Sequence, residues 1–141
     1  MAQTTVREIM TPNPRSLAAT ASVADAARVM READVGAVVV LKDDGTVCGI
    51  VTDRDITIRA VAEGQDPDIT VVDRICSHDP ASVGPDDDAE QAVRRMRQNA
   101  IRRLPVVEEG QPIGMLSLGD LAIERAPGSA LADISAQPPN E

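Results

Sequence analysis

Apolar positions in this chain follow two spacings. Val23, Ala26, Ala27, Met30 and Ala33 recur at three- and four-residue steps, one face of a helix, with Ser22 before them as a capping residue. Val35 to Leu41 is then a β-branched run too short for a helix, which predicts a buried strand. Lys42-Asp43-Asp44-Gly45 supplies a turn into a second strand, Val47 to Val51, and a further helix is predicted from near Asp53 to Gly64. Upstream, Thr5-Val6-Arg7-Glu8 has the form of a capping box that opens a short helix, and Thr11 to Ser16 is an extended, proline-containing stretch.

The same order then returns. Val6, Ile9, Pro14, Ser16, Ala26, Arg28, Met30, Arg31 and Val40 recur at one constant offset as Val72, Ile75, Pro80, Ser82, Ala92, Arg94, Met96, Arg97 and Val106. After a turn one residue shorter, Gly45, Gly49 and Asp55 match Gly110, Gly114 and Asp120. In the second copy Asp88 caps a helix with Ala89, Ala92, Val93 and Met96 as its stripe. Strands follow at Arg103–Val107 and Ile113–Leu116, with a helix to about Arg125. Repeat 1 spans residues 4–64 and repeat 2 residues 70–126, joined by Gly64-Gln65-Asp66-Pro67. Residues 127–141 form a tail with one short helix predicted over Ser129–Ala136. A unit of this size buries too little surface to be stable alone, so the two are expected to pack sheet against sheet as one domain.

Composition changes the picture in two ways. The chain has no Phe, Tyr or Trp, so its core is aliphatic and a flat ligand must lie on aliphatic side chains. Its 14 Lys and Arg face 23 Asp and Glu, a formal charge of −9, which repels phosphate backbones and anionic lipid and argues against nucleic-acid polymers and membrane surfaces as partners. Two cysteines, Cys48 and Cys76, make no disulfide framework. Met1 to Thr5 has no basic start leading into an apolar run, and no stretch is long enough to span a bilayer. The reading is a soluble, cytoplasmic protein.

The motif Gly-x-x-Thr/Ser-x-x-Asp occurs twice, at a strand-to-helix turn. Thr52 and Asp55, and Ser117 and Asp120, have capping-box spacing, which alone explains both pairs structurally. The same geometry suits a ligand, because a carboxylate there can accept hydrogen bonds from a ribose diol while the hydroxyl and the helix-terminal amides face a phosphate. Residue types alone leave both readings open.

Four stretches together resemble the CBS domain: Val6-Arg7-Glu8-Ile9-Met10-Thr11, Gly49-Ile50-Val51-Thr52-Asp53-Arg54-Asp55, Ile101-Arg102-Arg103-Leu104-Pro105-Val106-Val107 and Gly114-Met115-Leu116-Ser117-Leu118-Gly119-Asp120. The resemblance covers about residues 4–125 and is to tandem CBS pairs, or Bateman modules, including stand-alone bacterial two-CBS proteins of the mycobacterial hypoxia-response type. It implies an α+β (α/β) fold of two β-α-β-β-α repeats packed with pseudo-two-fold symmetry, and a homodimer. It also implies two composite ligand clefts. The first combines Thr52 and Asp55 with Cys76, Ala81, Ile101, Arg102 and Arg103; the second combines Ser117 and Asp120 with Met10, Arg15, Val35, Gly36 and Arg54. Arg102 and Arg103 would approach a phosphate in the first cleft, where repeat 1 has the neutral Gly36 and Ala37. As adjacent strand residues they point to opposite faces, so one of them enters. The alternative for all three arginines is a solvated or ion-paired surface role.

No paired acid and base stands at a plausible nucleophile, so no enzyme and no resident cofactor is expected. Cys76-x-His78 offers two metal ligands without a second cluster, and no metal site is expected there; a buried thiol beside a loop imidazole explains both. Asp86-Asp87-Asp88 precedes a helix and suits its dipole. The function implied is regulatory: an adenosine-containing nucleotide (AMP, ADP, ATP, NAD(H) or an S-adenosyl compound) binds, and a separate, unidentified target protein reads the change. An empty dimerisation scaffold is the alternative, and a metal- or redox-responsive protein using Cys48, Cys76 and His78 is a third.

Overall fold

The structure, a computed structural model, describes residues 4–125 and 128–137. In chain order the elements are α1 (Val6–Ile9), β1 (Thr11–Pro12), β2 (Ser16–Ala18), α2 (Val23–Ala33), β3 (Ala37–Leu41), β4 (Val47–Thr52) and α3 (Asp53–Asp55), which continues as a π-helical stretch over Ile56–Val61. A 3-10 turn (Val72–Arg74), β5 (Ser77–His78), α4 (Ala89–Asn99), β6 (Arg103–Glu108), β7 (Gln111–Ser117), α5 (Leu118–Arg125) and α6 (Ala130–Ser135) complete the order. Pro127, the residue with which the tail begins, and residues 138–141 lie outside the described residues.

The predicted caps form. The Ser22 side chain closes a capping box with Asp25, the Thr5 N–H donates to Glu8 Oε2 at 3.2 Å while the Glu8 amide donates to the Thr5 backbone carbonyl, and Asp88 accepts from the Gln91 amide at 2.8 Å. At the other ends α2 and α4 stop without glycine. Asp34 and Ala100 adopt left-handed backbone (φ 58° and 53°), and the next amides, Val35 and Ile101, bond back to the carbonyls of Met30 and Met96, both at 3.0 Å. Val35 therefore belongs to the helix terminus, 39% exposed, and the strand predicted from Val35 begins at Ala37.

Two compact units result. One is Pro14–Pro80; the other joins the residues up to Asn13 to those from Ala81 onward. The repeats are units of sequence, whereas the compact units exchange the opening segments of the repeats. In the Pro14–Pro80 unit the sheet order is β2-β3-β4-β5, with β2 and β3 parallel (Ser16 opposite Val39) and the other pairs antiparallel. Val23, Ala26 and Met30 of α2 pack with Val38, Val40, Val51 and Ala60, and with Val72, Ile75 and Cys76 from the start of repeat 2. The other unit has the order β1-β7-β6, and a parallel bridge from Val83 to Val106 stands where β2 pairs β3. Its core joins Val6 to Ala89, Ala92, Met96, Leu104, Val106, Leu116 and Leu121. Val6 and Val72, equivalent residues, are each fully buried in the unit built mainly from the opposite repeat.

Two glycines permit this exchange. Gly49 lies opposite His78 and Gly114 opposite Pro12, where the incoming edge strands approach closely. A methyl on Gly49 would clash with the Ser77 carbonyl oxygen and lie 3.1 Å from Cys76 Sγ; one on Gly114 would strike the thioether of Met10 and crowd the Thr11 carbonyl oxygen less severely, at 3.1 Å. Backbone cannot move aside as a flexible methionine can. Gly49→Ala is therefore expected to lower unfolding stability by about 2–3 kcal/mol and Gly114→Ala by about 1 kcal/mol, read from urea midpoints. Equal losses would contradict the edge-strand account.

No described helix is long and apolar enough to cross a membrane.

Candidate functional site: two strand-to-helix junctions

Each unit contains one junction, and the two have the same geometry. Thr52 N–H donates to Asp55 Oδ2 at 2.9 Å and Asp55 N–H donates to Thr52 Oγ1 at 3.1 Å. Ser117 N–H donates to Asp120 Oδ2 at 2.9 Å and Asp120 N–H donates to Ser117 Oγ at 3.1 Å. The capping box is thus realised twice.

Capping leaves these groups with capacity to spare. An ionised carboxylate has about four acceptor positions, and the cap takes one oxygen of each Asp. Each hydroxyl accepts one bond and keeps its proton to donate. The residual oxygens differ. Asp55 Oδ1 lies 3.9 Å from Arg59 Nε, with Asp55 only 13% exposed, whereas no cation pairs with Asp120 among the described residues.

The first helical amides are largely consumed. Asp53 N–H donates to the Gly36 carbonyl at 3.0 Å and Leu118 N–H to the Arg102 carbonyl at 2.8 Å. Arg54 N–H donates to Asp53 Oδ1 at 2.9 Å. At the second junction Leu118 offers no side-chain acceptor, so the Gly119 amide is not capped in that way. The expectation of free amides facing a phosphate is thus corrected at Thr52–Asp55, where Asp53 and Arg54 N–H are both engaged, whereas at Ser117–Asp120 only Leu118 N–H is bonded in this way. A methyl on Gly119 would lie 2.7 Å from Ser135 Oγ, so α6 of the tail sits against this junction.

The Pro14–Pro80 unit holds Thr52, Asp55 and Cys76 of the first residue set with Arg15, Val35, Gly36 and Arg54 of the second. The other unit holds Ser117, Asp120 and Met10 with Ala81, Ile101, Arg102 and Arg103. Within a unit, the contacts bring Gly36 to the Thr52 junction and Arg102 to the Ser117 junction. Cys76 is buried; Val35, Arg15, Arg54, Arg102 and Arg103 are exposed; Met10, Ala81 and Ile101 are half-buried. None of Arg15, Arg54, Arg102 and Arg103 forms an ion pair with a described residue, although the chain is strongly acidic; the cation beside Asp55 is Arg59 instead. Sequence reasoning missed Arg59 and Ser135. Arg59 stands four residues after Asp55, a helical spacing that could have shown it, whereas Ser135 had no sequence signal.

A second cluster belongs wholly to the Pro14–Pro80 unit. Asp73 Oδ1 lies 2.8 Å from His78 Nε2 and 3.6 Å from Cys48 Sγ, and Cys76 Sγ lies 3.6 Å from the same Nε2. The bond to His78 holds the Asp73 carboxyl below its ordinary range, against a smaller opposing effect of desolvation. Burial pushes the Cys76 thiol up to about 11, and partial burial with the Asp73 carboxylate raises Cys48, so neither is a thiolate nucleophile at neutral pH.

The chain as a whole is similar to known proteins. CBS domain-containing protein YhcV of Bacillus subtilis is 36% identical over 136 residues, which cover 94% of this chain and 96% of that one. A crystal structure of Hypoxic Response Protein I with two coordinated zinc ions matches with a TM-score of 0.78 at 30% identity, covering 84% of this chain and 97% of the other. A CBS domain protein from Pyrobaculum aerophilum complexed with AMP matches with a TM-score of 0.79 at 32% identity, covering 92% and 98%. The family model of the CBS domain matches residues 6–61 and 72–126, one match for each copy of the junction, so the chain belongs to the CBS domain family as a tandem pair with a mixed α+β fold.

Proposed function

We propose that this CBS pair is a regulatory module that binds an adenosine-containing nucleotide through Thr52 and Asp55 and through Ser117 and Asp120, and signals to a separate partner. The observation that carries the reading is the twice-built junction, in which a capping carboxylate keeps an unspent oxygen and a capping hydroxyl keeps its proton. A ribose diol needs two acceptor positions and a phosphate needs donors, and these groups supply both. The AMP complex of the Pyrobaculum relative adds support at 32% identity. The remaining residues of the two sets, Cys76, Ala81, Ile101, Arg102 and Arg103, and Met10, Arg15, Val35, Gly36 and Arg54, are proposed as adenine- and phosphate-side contacts.

The test is a thermal-shift panel of AMP, ADP, ATP, NAD(H) and S-adenosylmethionine, followed with an external dye because the chain lacks aromatic residues. A ligand present at a hundred times its Kd stabilises the folded state by about 2.7 kcal/mol, which moves the midpoint of a chain this size by several degrees. At least one member is expected to do so. A flat response to all of them at millimolar concentration favours the empty scaffold.

A further inference from the structure

The geometry points to a transition-metal site in the Pro14–Pro80 unit, with Cys48, Asp73 and His78 as ligands and the Cys76 thiol completing the set, of a chemistry that selects zinc. Sequence spacing set this possibility aside because Cys76-x-His78 supplies two ligands. The fold adds two more from elements that spacing does not connect. Cys48 comes from β4 and Asp73 from the 3-10 turn that opens repeat 2, while Cys76 and His78 flank and form β5.

One donor atom from each of Cys48, Asp73 and His78 lies within 4.8 Å of the others, while Cys76 Sγ stands outside that group and would have to swing in from its place beside His78 Nε2 to become the fourth ligand. Zinc bonds of about 2.3 Å to sulfur and 2.0–2.2 Å to nitrogen or oxygen give a tetrahedron with sulfur–oxygen and sulfur–nitrogen edges of about 3.6 Å. Cys48 Sγ to Asp73 Oδ1 and Cys76 Sγ to His78 Nε2 are both 3.6 Å. The nitrogen–oxygen edge should be about 3.4 Å. Asp73 Oδ1 and His78 Nε2 stand at 2.8 Å in a direct hydrogen bond, so a metal must part them by about 0.6 Å and displace whatever proton they share. Both side chains are about half exposed (52% and 51%), which leaves them room to move and a path for the ion.

Donor chemistry fixes the class. Two sulfurs, an imidazole and one carboxylate suit zinc and the softer divalent ions rather than magnesium or calcium, which take oxygen. Coordination by a thiol releases its proton to solvent, so binding at this site would weaken as pH falls. Such an ion would tie the start of repeat 2 to a strand of repeat 1, at the place where Gly49 lets β5 approach β4.

The experiment is a titration of the full chain with Co²⁺, then displacement by Zn²⁺, under reducing conditions after treatment with a chelator. Tetrahedral cobalt gives intense visible bands, and thiolate ligation adds a charge-transfer band in the near ultraviolet, where a chain without aromatic residues is transparent. One equivalent of cobalt is expected to give both, with zinc removing them. His78→Gln and Asp73→Asn change exposed side chains and should each weaken cobalt binding at least tenfold, while Cys48→Ser should reduce the charge-transfer band. Circular dichroism of each variant, compared with the metal-free wild type, separates loss of the site from loss of the fold. Weak octahedral cobalt spectra in the wild type, or tetrahedral spectra unchanged in all three folded variants, overturn the assignment.

Discussion

Asp55→Ala and Asp120→Ala are each expected to weaken AMP binding at their own junction by about ten- to hundredfold, and the double variant to bind no AMP at micromolar concentration. Hydrogen bonds to a charged group contribute about 1.5–3 kcal/mol, and each 1.4 kcal/mol is tenfold in affinity. Calorimetric titration of wild type, the singles and the double variant measures it. Both carboxylates also cap, so losing the capping acceptor should cost about 1 kcal/mol of unfolding stability without any ligand. Asp→Asn separates the two roles. The amide keeps an oxygen for the Thr52 or Ser117 N–H and so keeps most of the cap, but it loses the charge that a ribose diol would meet. Arg59, 3.9 Å from Asp55 and without an equivalent pair at Asp120 among the described residues, makes the two sites unequal. Removal of Asp120 therefore takes away a carboxylate with no competing cation among the described residues, and its variant should show the larger loss. Singles that bind like wild type would leave both carboxylates as caps alone.

Local rules made most of this fold legible. Thr5, Ser22 and Asp88 cap the helices they precede, and the β-branched run supplies β3. The tail helix predicted over Ser129–Ala136 is α6, with Ser129 as its cap. Left-handed backbone at Asp34 and Ala100 was not legible, because a non-glycine residue there gives no sequence signal and is held by the bonds that Val35 and Ile101 make. The predicted single helix after Asp53 is instead a short α turn running into a π-helical stretch, with Ala62 and Gln65 N–H bonding to Thr57 and Ala60 carbonyls five residues back, at 2.9 Å each. Nothing local encodes that shift. The equivalent α5 of the second repeat is ordinary α-helix.

The candidate sites divide in the same way. The Thr52–Asp55 and Ser117–Asp120 junctions were readable because their partners are three residues apart. The Cys48, Asp73, Cys76 and His78 cluster was not, because it depends on β5 crossing to the sheet of the other repeat. That exchange is tertiary information, visible in sequence only as the small residues Gly49 and Gly114, whose equivalence shows a repeat but not which strand lies beside them.

The second large effect concerns charge. Arg102→Ala/Arg103→Ala is expected to weaken AMP about tenfold and adenosine hardly at all. The two side chains are exposed and form no ion pair with a described residue, in a chain of net charge −9. Unpaired guanidinium groups on an acidic protein attract a phosphate, but their exposure places the gain near the lower end of the charge-assisted range, about 1.5 kcal/mol. Surface ion pairs that touch no ligand would change neither titration. Salt separates the cases further, because the preference for AMP over adenosine should shrink as ionic strength shortens the range of the field. The junction these arginines serve can be found by combining variants. The resemblance assigns them to a phosphate held by Thr52 and Asp55, whereas the Arg102 carbonyl accepts from Leu118 N–H at 2.8 Å, beside Ser117 and Asp120. If they serve the first, the AMP-selective loss disappears on an Asp55→Ala background and persists on Asp120→Ala; the reverse pattern assigns them to the second. An equal loss for AMP and adenosine on both backgrounds would show that the arginines support the strand rather than the phosphate.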